Sequence, residues 1–433
     1  VAKWFRFNDK DFSSALTSHL STKLEMDEEV NKRVASIIRE VQHTGDDALV
    51  ELTNKFDRRK VNHFKKLVIT QKQIDAARNE IDSELLASLE LAAARIADYH
   101  QKQMPQDMDY TDATGVRLGN LWRAIDAVGL YVPGGLASYP SSVLMNAVPA
   151  KVAGVKRLVM TVPAPDGVLN PVVLAAASVA GVTEIYTIGG AQAIAALAYG
   201  TDTIKPVNTI VGPGNAYVAA AKRQVYGKVG IDMIAGPSEI LVIADDSANP
   251  KWLAADLLSQ AEHDEAARSI LLTESESLAK QVEEAIESLI PTLGKKDIAR
   301  ISWENNGAIV IAKDKAHLIA LTNEMAAEHL EVATENPEEL LPHIQHAGAV
   351  FLGHYTPEAI GDYMAGPSHV LPTAGTAAFS SGLSVYDFLK RMSLIGCSKA
   401  AFDSLSDATA LLADSENLGA HALSVRIRKE DNA

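Results

Sequence analysis

The chain has 433 residues, 47% of them hydrophobic and 22% charged, an ordinary globular mixture. One hydrophobic core rarely serves more than about 250 to 300 residues, so more than one domain is expected. A net charge of −15, from 40 Lys and Arg against 55 Asp and Glu, repels nucleic-acid phosphates and anionic lipid and argues against both as partners.

The single cysteine, Cys397, cannot close a disulfide within the chain, which fits a reducing, cytoplasmic setting. Lys3, Arg6, Asp9, Lys10 and Asp11 interrupt the first dozen residues, so no signal peptide is expected there. The most apolar stretch, residues 171–182, has about half the roughly 20 residues that a membrane helix needs.

In chain order, residues 28–50 and 82–102 place apolar side chains at three-and-four spacing among charges and predict surface helices. From Arg157 the pattern changes to apolar runs alternating with short helices. Strands are predicted at 158–162, 184–188, 209–211 and 240–244, each followed by a helix, at 170–180, 192–199, 216–225 and 250–263. Such alternation predicts a parallel sheet covered on both faces, with ligands beyond the carboxyl ends of its strands. Those ends carry Gly189-Gly190-Ala191-Gln192, Gly212-Pro213-Gly214-Asn215 and Gly236-Pro237-Ser238-Glu239, turns whose glycines admit a ligand close to the backbone.

A second series begins after about Lys280, with strands near 308–311 and 349–352. Residues 374–383 read as a linker, and a helix at 406–413 precedes a short alternating strand at 423–428. The last fifty residues are too few to bury a core alone and must pack on something else.

No usual nucleotide fingerprint is present. Gly212-Pro-Gly214-Asn-Ala-Tyr217 has Tyr217 where a third glycine would stand, and Pro133-Gly134-Gly135 follows no clear βα turn, so these glycines can equally be tight turns. Gln260 and His263 end the helix at 250–263 three residues apart, on one face, as metal ligands or as an ordinary polar helix end. Glu328-His329 offers two proton acceptors of different basicity, suited to a reaction with two deprotonations, or else a surface pair. Asp362 and His369 fall in a Gly- and Pro-containing stretch that reads as a loop, and Glu416 and His421 by themselves read as solvated tail. Cys397 reads as a packed or incidental thiol rather than a nucleophile.

Taken together, Gly129-Leu-Tyr131-Val-Pro-Gly-Gly135, the run Tyr139 to Ala147, Gly189 to Ala196, Val211 to Asn215, Ala235 to Glu239, Ser259 to His263, Ala327 to Leu330 and Gly361 to Pro372 resemble the histidinol dehydrogenase family, in order and at matching spacing. The resemblance implies an α/β fold of two Rossmann-like domains with parallel sheets and small terminal extensions. Residues 1–25 would form the amino-terminal extension, 26–130 and 238–380 the first domain, and 131–237 the second. Residues 381–433 would form a tail that crosses to the partner in a homodimer, giving shared active sites.

It also implies zinc held by Gln260, His263, Asp362 and His421, and L-histidinol contacting these residues together with Ser238, His329 and Glu416. NAD would contact Tyr131, Gln192 and Asn215. The implied reaction takes L-histidinol through bound L-histidinaldehyde to L-histidine with two NAD, the final steps of histidine biosynthesis. In it His329 serves as base and Glu328 activates water. One departure is Ser368, before His369, where the family has Asn. Rival readings are a paralogue acting on another small hydroxylated compound, such as a sulfonated propanediol, and a two-lobed binding protein. An anionic substrate would bring extra Arg or Lys into these motifs, whereas Ser238 and Glu416 suit a cationic amine.

Overall fold

The apolar runs of the sequence become buried strands. The computed structural model describes residues 2–20, 28–134 and 139–430, so Gly135 and residues 21–25 of the expected extension lie outside the described residues. In chain order the first strands are β1 (Lys3–Arg6), β2 (Val68–Ile69), β3 (Met108–Thr111), β4 (Val116–Ala124) and β5 (Ala127–Tyr131). Then come β6 (Arg157–Thr161), β7 (Glu184–Tyr186), β8 (Thr209–Val211), β9 (Gly230–Ile231) and β10 (Glu239–Ala244). The rest are β11 (Arg268–Thr273), β12 (Ala308–Ile311), β13 (His329–Ala333), β14 (Ala349–Leu352) and β15 (Leu389–Cys397).

The chain divides into two units, Val1–Gln103 with Asp126–Phe388, and Met104–Ile125 with Leu389–Ala433. The larger unit holds two six-stranded sheets, ordered β2-β7-β6-β5-β8-β9 and β1-β12-β11-β10-β13-β14. Every pairing in the second sheet is parallel, and in the first only β2 runs antiparallel. Both share one winding: the chain builds outward over three strands, then returns to the other side of the starting strand. That reversal leaves a switch point between β5 and β8 in one sheet and between β10 and β13 in the other.

Burial on both faces explains the unbroken apolar runs. Along β10, Ile240, Val242 and Ala244 join the core under the helices Pro250–Ala261 and Glu276–Leu289. Leu241 and Ile243 join the opposite core with Phe12, Leu318 and Leu321, as a two-residue period requires. The helices Glu28–Thr44 and Gly190–Tyr199 close the β5–β9 sheet through Val34, Ile37, Ile38, Ile194 and Leu197.

Strand pairing corrects several expectations. β5 hydrogen-bonds β6 and β8, so the end of the stretch 26–130 belongs with 131–237 and not with 238–380. The first strand is no separate extension, because β1 pairs with β12. The strand at 240–244 opens the second sheet instead of closing the first, so the chain changes sheet near Gly236-Pro237, well before Lys280. Residues 374–383 do not form a free linker: Ala377 and Leu383 are buried, and Leu383 N–H donates to Val370 O at 2.8 Å.

The smaller unit is an antiparallel sheet, β15-β4-β3, with the helices Lys399–Ser415 and Gly419–Glu430. The expected strand at 423–428 is therefore helix. Leu423, Val425 and Ile427 alternate with Ser424, Arg426 and Arg428, but the helix exposes most of its circumference, so that alternation reports no buried sheet face.

Candidate functional site

Sheet topology brings the proton-active residues together. Glu239 opens β10 and His329 opens β13, adjacent strands across a switch point, so Glu328 and His329 stand at the amino ends of that sheet. A crossover helix runs antiparallel to its strands, and its carboxyl end returns to the same edge. The helix Pro250–Ala261 thereby delivers Gln260, with His263 on the turn behind it, where His263 N–H donates to Gln260 O at 3.2 Å. The short helix Glu358–Tyr363 after β14 delivers Asp362, which sits on a helix and not on the expected loop.

Glu328 and His329 are 5% and 4% exposed, which removes the surface-pair reading. Glu328 Oε2 accepts from Glu239 N–H at 2.9 Å. His329 Nδ1 donates to Glu239 O at 3.2 Å and lies 3.3 Å from Glu358 Oε1. His329 Nε2 has no hydrogen-bond partner and stands 3.6 Å from Asp362 Oδ1. Tied at one nitrogen and open at the other, this imidazole has the arrangement of a general base.

Burial pushes the Glu328 carboxyl up to about 8. Burial alone would lower His329, but the carboxylates of Glu358, Glu328 and Asp362 outweigh it and push it up to about 10. Burial lowers His263 and keeps its ring neutral, the form that binds metals. Asp362 is held below the usual range because the imidazole of His329, 3.6 Å away, and those of His369 and His263 overcome its burial.

The donor chemistry fits a divalent cation. Gln260 is fully buried, its Nε2 lies 2.9 Å from His263 Nδ1, and its Oε1 has no partner. An orphaned amide oxygen beside a neutral imidazole and an ionised carboxylate is a mixed N/O set suited to zinc or a similar ion. Ligand atoms of His329, Glu358 and Asp362 also lie within 4.8 Å of one another, and Asp362 is common to both sets. We favour the first set, because His329 Nδ1 is already committed to Glu239 and Glu358.

His369 Nδ1 donates to the backbone carbonyl of Asp362 at 3.1 Å, and its Nε2 lies 3.3 Å from Ser142 Oγ, so His369 fixes the main chain that carries Asp362. Ser368, the departure from the family pattern, is buried and donates to Met145 O at 3.3 Å. Ser238 directly precedes β10. Glu416 and His421 lie on the smaller unit, both exposed, and Cys397 is an exposed free thiol at the end of β15.

A second constellation lies beyond the carboxyl ends of β5, β7 and β8. A cavity of about 490 Å³ there is lined by Tyr131, Gln192 and Asn215, the three expected cofactor contacts. Tyr131 Oη accepts from Gly190 N–H at 3.1 Å. Asn215 caps the helix Ala216–Val225 by accepting from Tyr217 N–H and Val218 N–H. Gln192 is 2% exposed and its Oε1 lacks a partner, an acceptor waiting for a ligand donor. Gly212 must be glycine: its φ is +112°, and a Cβ would stand 2.1 Å from Tyr131 O.

Sequence reading missed Glu239 and Glu358. Glu358 and Asp362 are four apart on one helix, a same-face spacing that could have paired them.

The family description for histidinol dehydrogenase matches residues 20–429. A histidinol dehydrogenase 1 of Nostoc sp. is 56% identical over 422 residues, 97% of each chain. A histidinol dehydrogenase of Ruegeria pomeroyi is 57% identical over 418 residues, 96% of each chain. The crystal structure of histidinol dehydrogenase from Elizabethkingia anophelis matches with a TM-score of 0.94 at 34% identity, covering 100% of this chain and 99% of that one. The chain belongs to the histidinol dehydrogenase family and is an oxidoreductase.

Proposed function

We propose that the chain oxidises L-histidinol to L-histidine in two successive NAD-linked steps, the last of histidine biosynthesis, with the aldehyde retained between them. The observation that carries this reading is the buried Glu328–His329 pair beside Gln260, His263 and Asp362. His329 Nε2 takes the alcohol proton in the first step. Glu328, when ionised, takes a proton from water as the His329 imidazolium returns its proton to the aldehyde oxygen, which gives the hydrate, and His329, neutral again, then takes a proton of the hydrated aldehyde. Closure around the aldehyde keeps a reactive compound from side reactions.

Zinc would be held by Gln260, His263, Asp362 and His421, and it would supply a template for the imidazole and amine nitrogens of the substrate. Ser238 and Glu416 would contact that amine-bearing substrate. NAD would lie in the cavity of Tyr131, Gln192 and Asn215 and accept the hydrides there.

His421 and Glu416 would reach the site across a homodimer. In support, the smaller unit exposes Leu411, Leu412 and Leu423 at 70%, 67% and 60%, apolar area that association would bury. Among the described residues no helix is long and apolar enough to cross a membrane, and with the lone cysteine we assign the protein to the cytoplasm. The test is NADH yield per L-histidinol consumed by the zinc-loaded enzyme. Two per molecule is expected; one would end the four-electron course, and none would end the substrate assignment.

A further inference from the structure

We propose that Asp57 binds the adenosine ribose of the dinucleotide and sets the preference for NAD over NADP, an inference that rests on the cofactor reading above. In a sheet wound like β7-β6-β5-β8-β9, the ribose acid usually comes from the end of the strand next to the first, here β6. That position is vacated in this chain. β6 is followed by Val162-Pro163-Ala164-Pro165, and the next acid, Asp166, is turned to Arg58, whose Nε donates to Asp166 Oδ1 at 3.0 Å.

Asp57 fills the gap from outside the sheet. It ends the helix Asp46–Phe56, where its N–H donates to Thr53 O at 2.9 Å. Its own carbonyl accepts from Asp166 N–H at 2.9 Å, which seats Asp57 against the loop after β6. The residue lines the same cavity as Tyr131, Gln192 and Asn215. Asp57 is 8% exposed, yet its Oδ2 has no hydrogen-bond partner. A buried carboxylate oxygen without a donor is costly unless a ligand supplies one. Vicinal ribose hydroxyls supply two.

The neighbouring wall suits the base. Arg33 lies over the rings of Phe56 and Tyr217, 5.8 and 5.7 Å from their centroids, and all three line the cavity. A guanidinium and aromatic faces form a stacking surface for adenine. A 2′-phosphate would instead bring its charge against the Asp57 carboxylate in a partly desolvated cleft, the repulsive element that separates the two cofactors.

The test uses the zinc-loaded enzyme with Asp57→Ser and the isosteric Asp57→Asn, measuring kcat/KM for NAD and for NADP alongside KM for L-histidinol. Losing a charged hydrogen bond should lower kcat/KM for NAD about ten- to hundredfold, and removing the repulsion should move the NAD/NADP ratio toward NADP by at least as much. The effect should appear in the cofactor KM, with the L-histidinol KM within about twofold of wild type. Asp57→Asn keeps the shape, so it gives the answer if Asp57→Ser folds poorly. An unchanged cofactor ratio in the folded Asp57→Asn enzyme overturns the assignment. Wild-type enzyme that reduces no NAD with L-histidinol overturns the cofactor reading instead, so the two failures are distinguishable.

Discussion

The β5–β9 and β10–β14 sheets share one strand order and use opposite ends of it. In the first, the polar cluster stands beyond the carboxyl ends, where the helix Ala216–Val225 begins behind its Asn215 cap. In the second, the Glu328–His329 cluster stands at the amino ends, where the helices Pro250–Ala261 and Glu358–Tyr363 finish. Helix amino termini carry partial positive charge and favour anions, and carboxyl termini favour cations. A dinucleotide diphosphate and a divalent metal therefore suit opposite edges of the same architecture.

The carboxyl edge of the second sheet supports this. At the carboxyl ends of the second sheet lies a cavity of about 670 Å³ lined by Asp245, Asp246, Glu274, Glu276, Glu335 and Glu339, with Lys315 the one cation among the described lining residues and Arg6 and Lys280 paired with Glu276. Lys315 is paired with Glu339 at 2.8 Å. Such a wall repels a diphosphate, so the winding alone does not make a nucleotide site.

The sharpest way to break the division of labour is to remove the proposed base. His329→Ala should cut turnover about 10²- to 10⁴-fold, while the KM for NAD and the bound zinc per chain stay as in wild type. Stopped-flow turnover with metal analysis checks it. A raised cofactor KM with intact turnover would merge the two edges into one function. Next in size is the metal. Gln260→Ala and Asp362→Asn should weaken zinc retention by more than the 10- to 100-fold typical of losing an outer partner. A chelator should abolish histidinol oxidation, zinc should restore it, and NADH binding followed by fluorescence should survive. Loss of NADH binding on chelation would refute the separation.

A smaller effect lies in pH. His329 must be neutral to accept a proton, so activity rises as pH climbs through its pKa. That pKa is about 10 because the carboxylates of Glu358, Glu328 and Asp362 outweigh the opposing effect of burial. Glu358→Gln removes the largest of the three, so the rising limb of kcat should move to lower pH, by about 1 to 3 units for a close charge. A divalent cation at Asp362 lowers the limb in both enzymes and leaves the direction unchanged. A limb that stays in place would show that Glu358 carries no charge in the working enzyme.

The sequence was legible where burial imposes a period. β6, β8, β10, β12 and β14 and the helices behind them follow the apolar runs. It was opaque where burial is weak: β3 is exposed along its length and β15 nearly so, and neither carries an apolar signal. Sheet membership was hidden too, because identical βα units can join either sheet and only long-range packing chooses. Glu328-His329 looked like a surface pair because two polar residues in sequence carry no mark of the strand about to bury them. The family resemblance named Gln260, His263, Asp362 and His329, and the fold brings these four together. Glu358 was missed although its four-residue spacing from Asp362 marks a shared helix face, and Asp57 became visible only with coordinates.

The smallest effect concerns the strand that carries the base. His329 and Glu331 point to the same face of β13, while Leu330 and Val332 enter the opposite core. Glu331 is 2% exposed and faces the Asp256 carboxyl, and burial together with that second carboxyl pushes it up to about 10 from an ordinary 4.5. Between those values the folded chain holds a proton that the unfolded chain has released. Stability therefore falls as pH rises across that window, since the slope follows the protons bound unfolded minus those bound folded. Glu331→Gln carries no such proton and can still donate to Asp256. It should raise the melting temperature by a few degrees at pH 8.5, corresponding to about 1 kcal/mol or more, and by less at pH 5. Calorimetry at the two pH values checks this, and a gain equal at both would mean that Glu331 is ionised in the native strand.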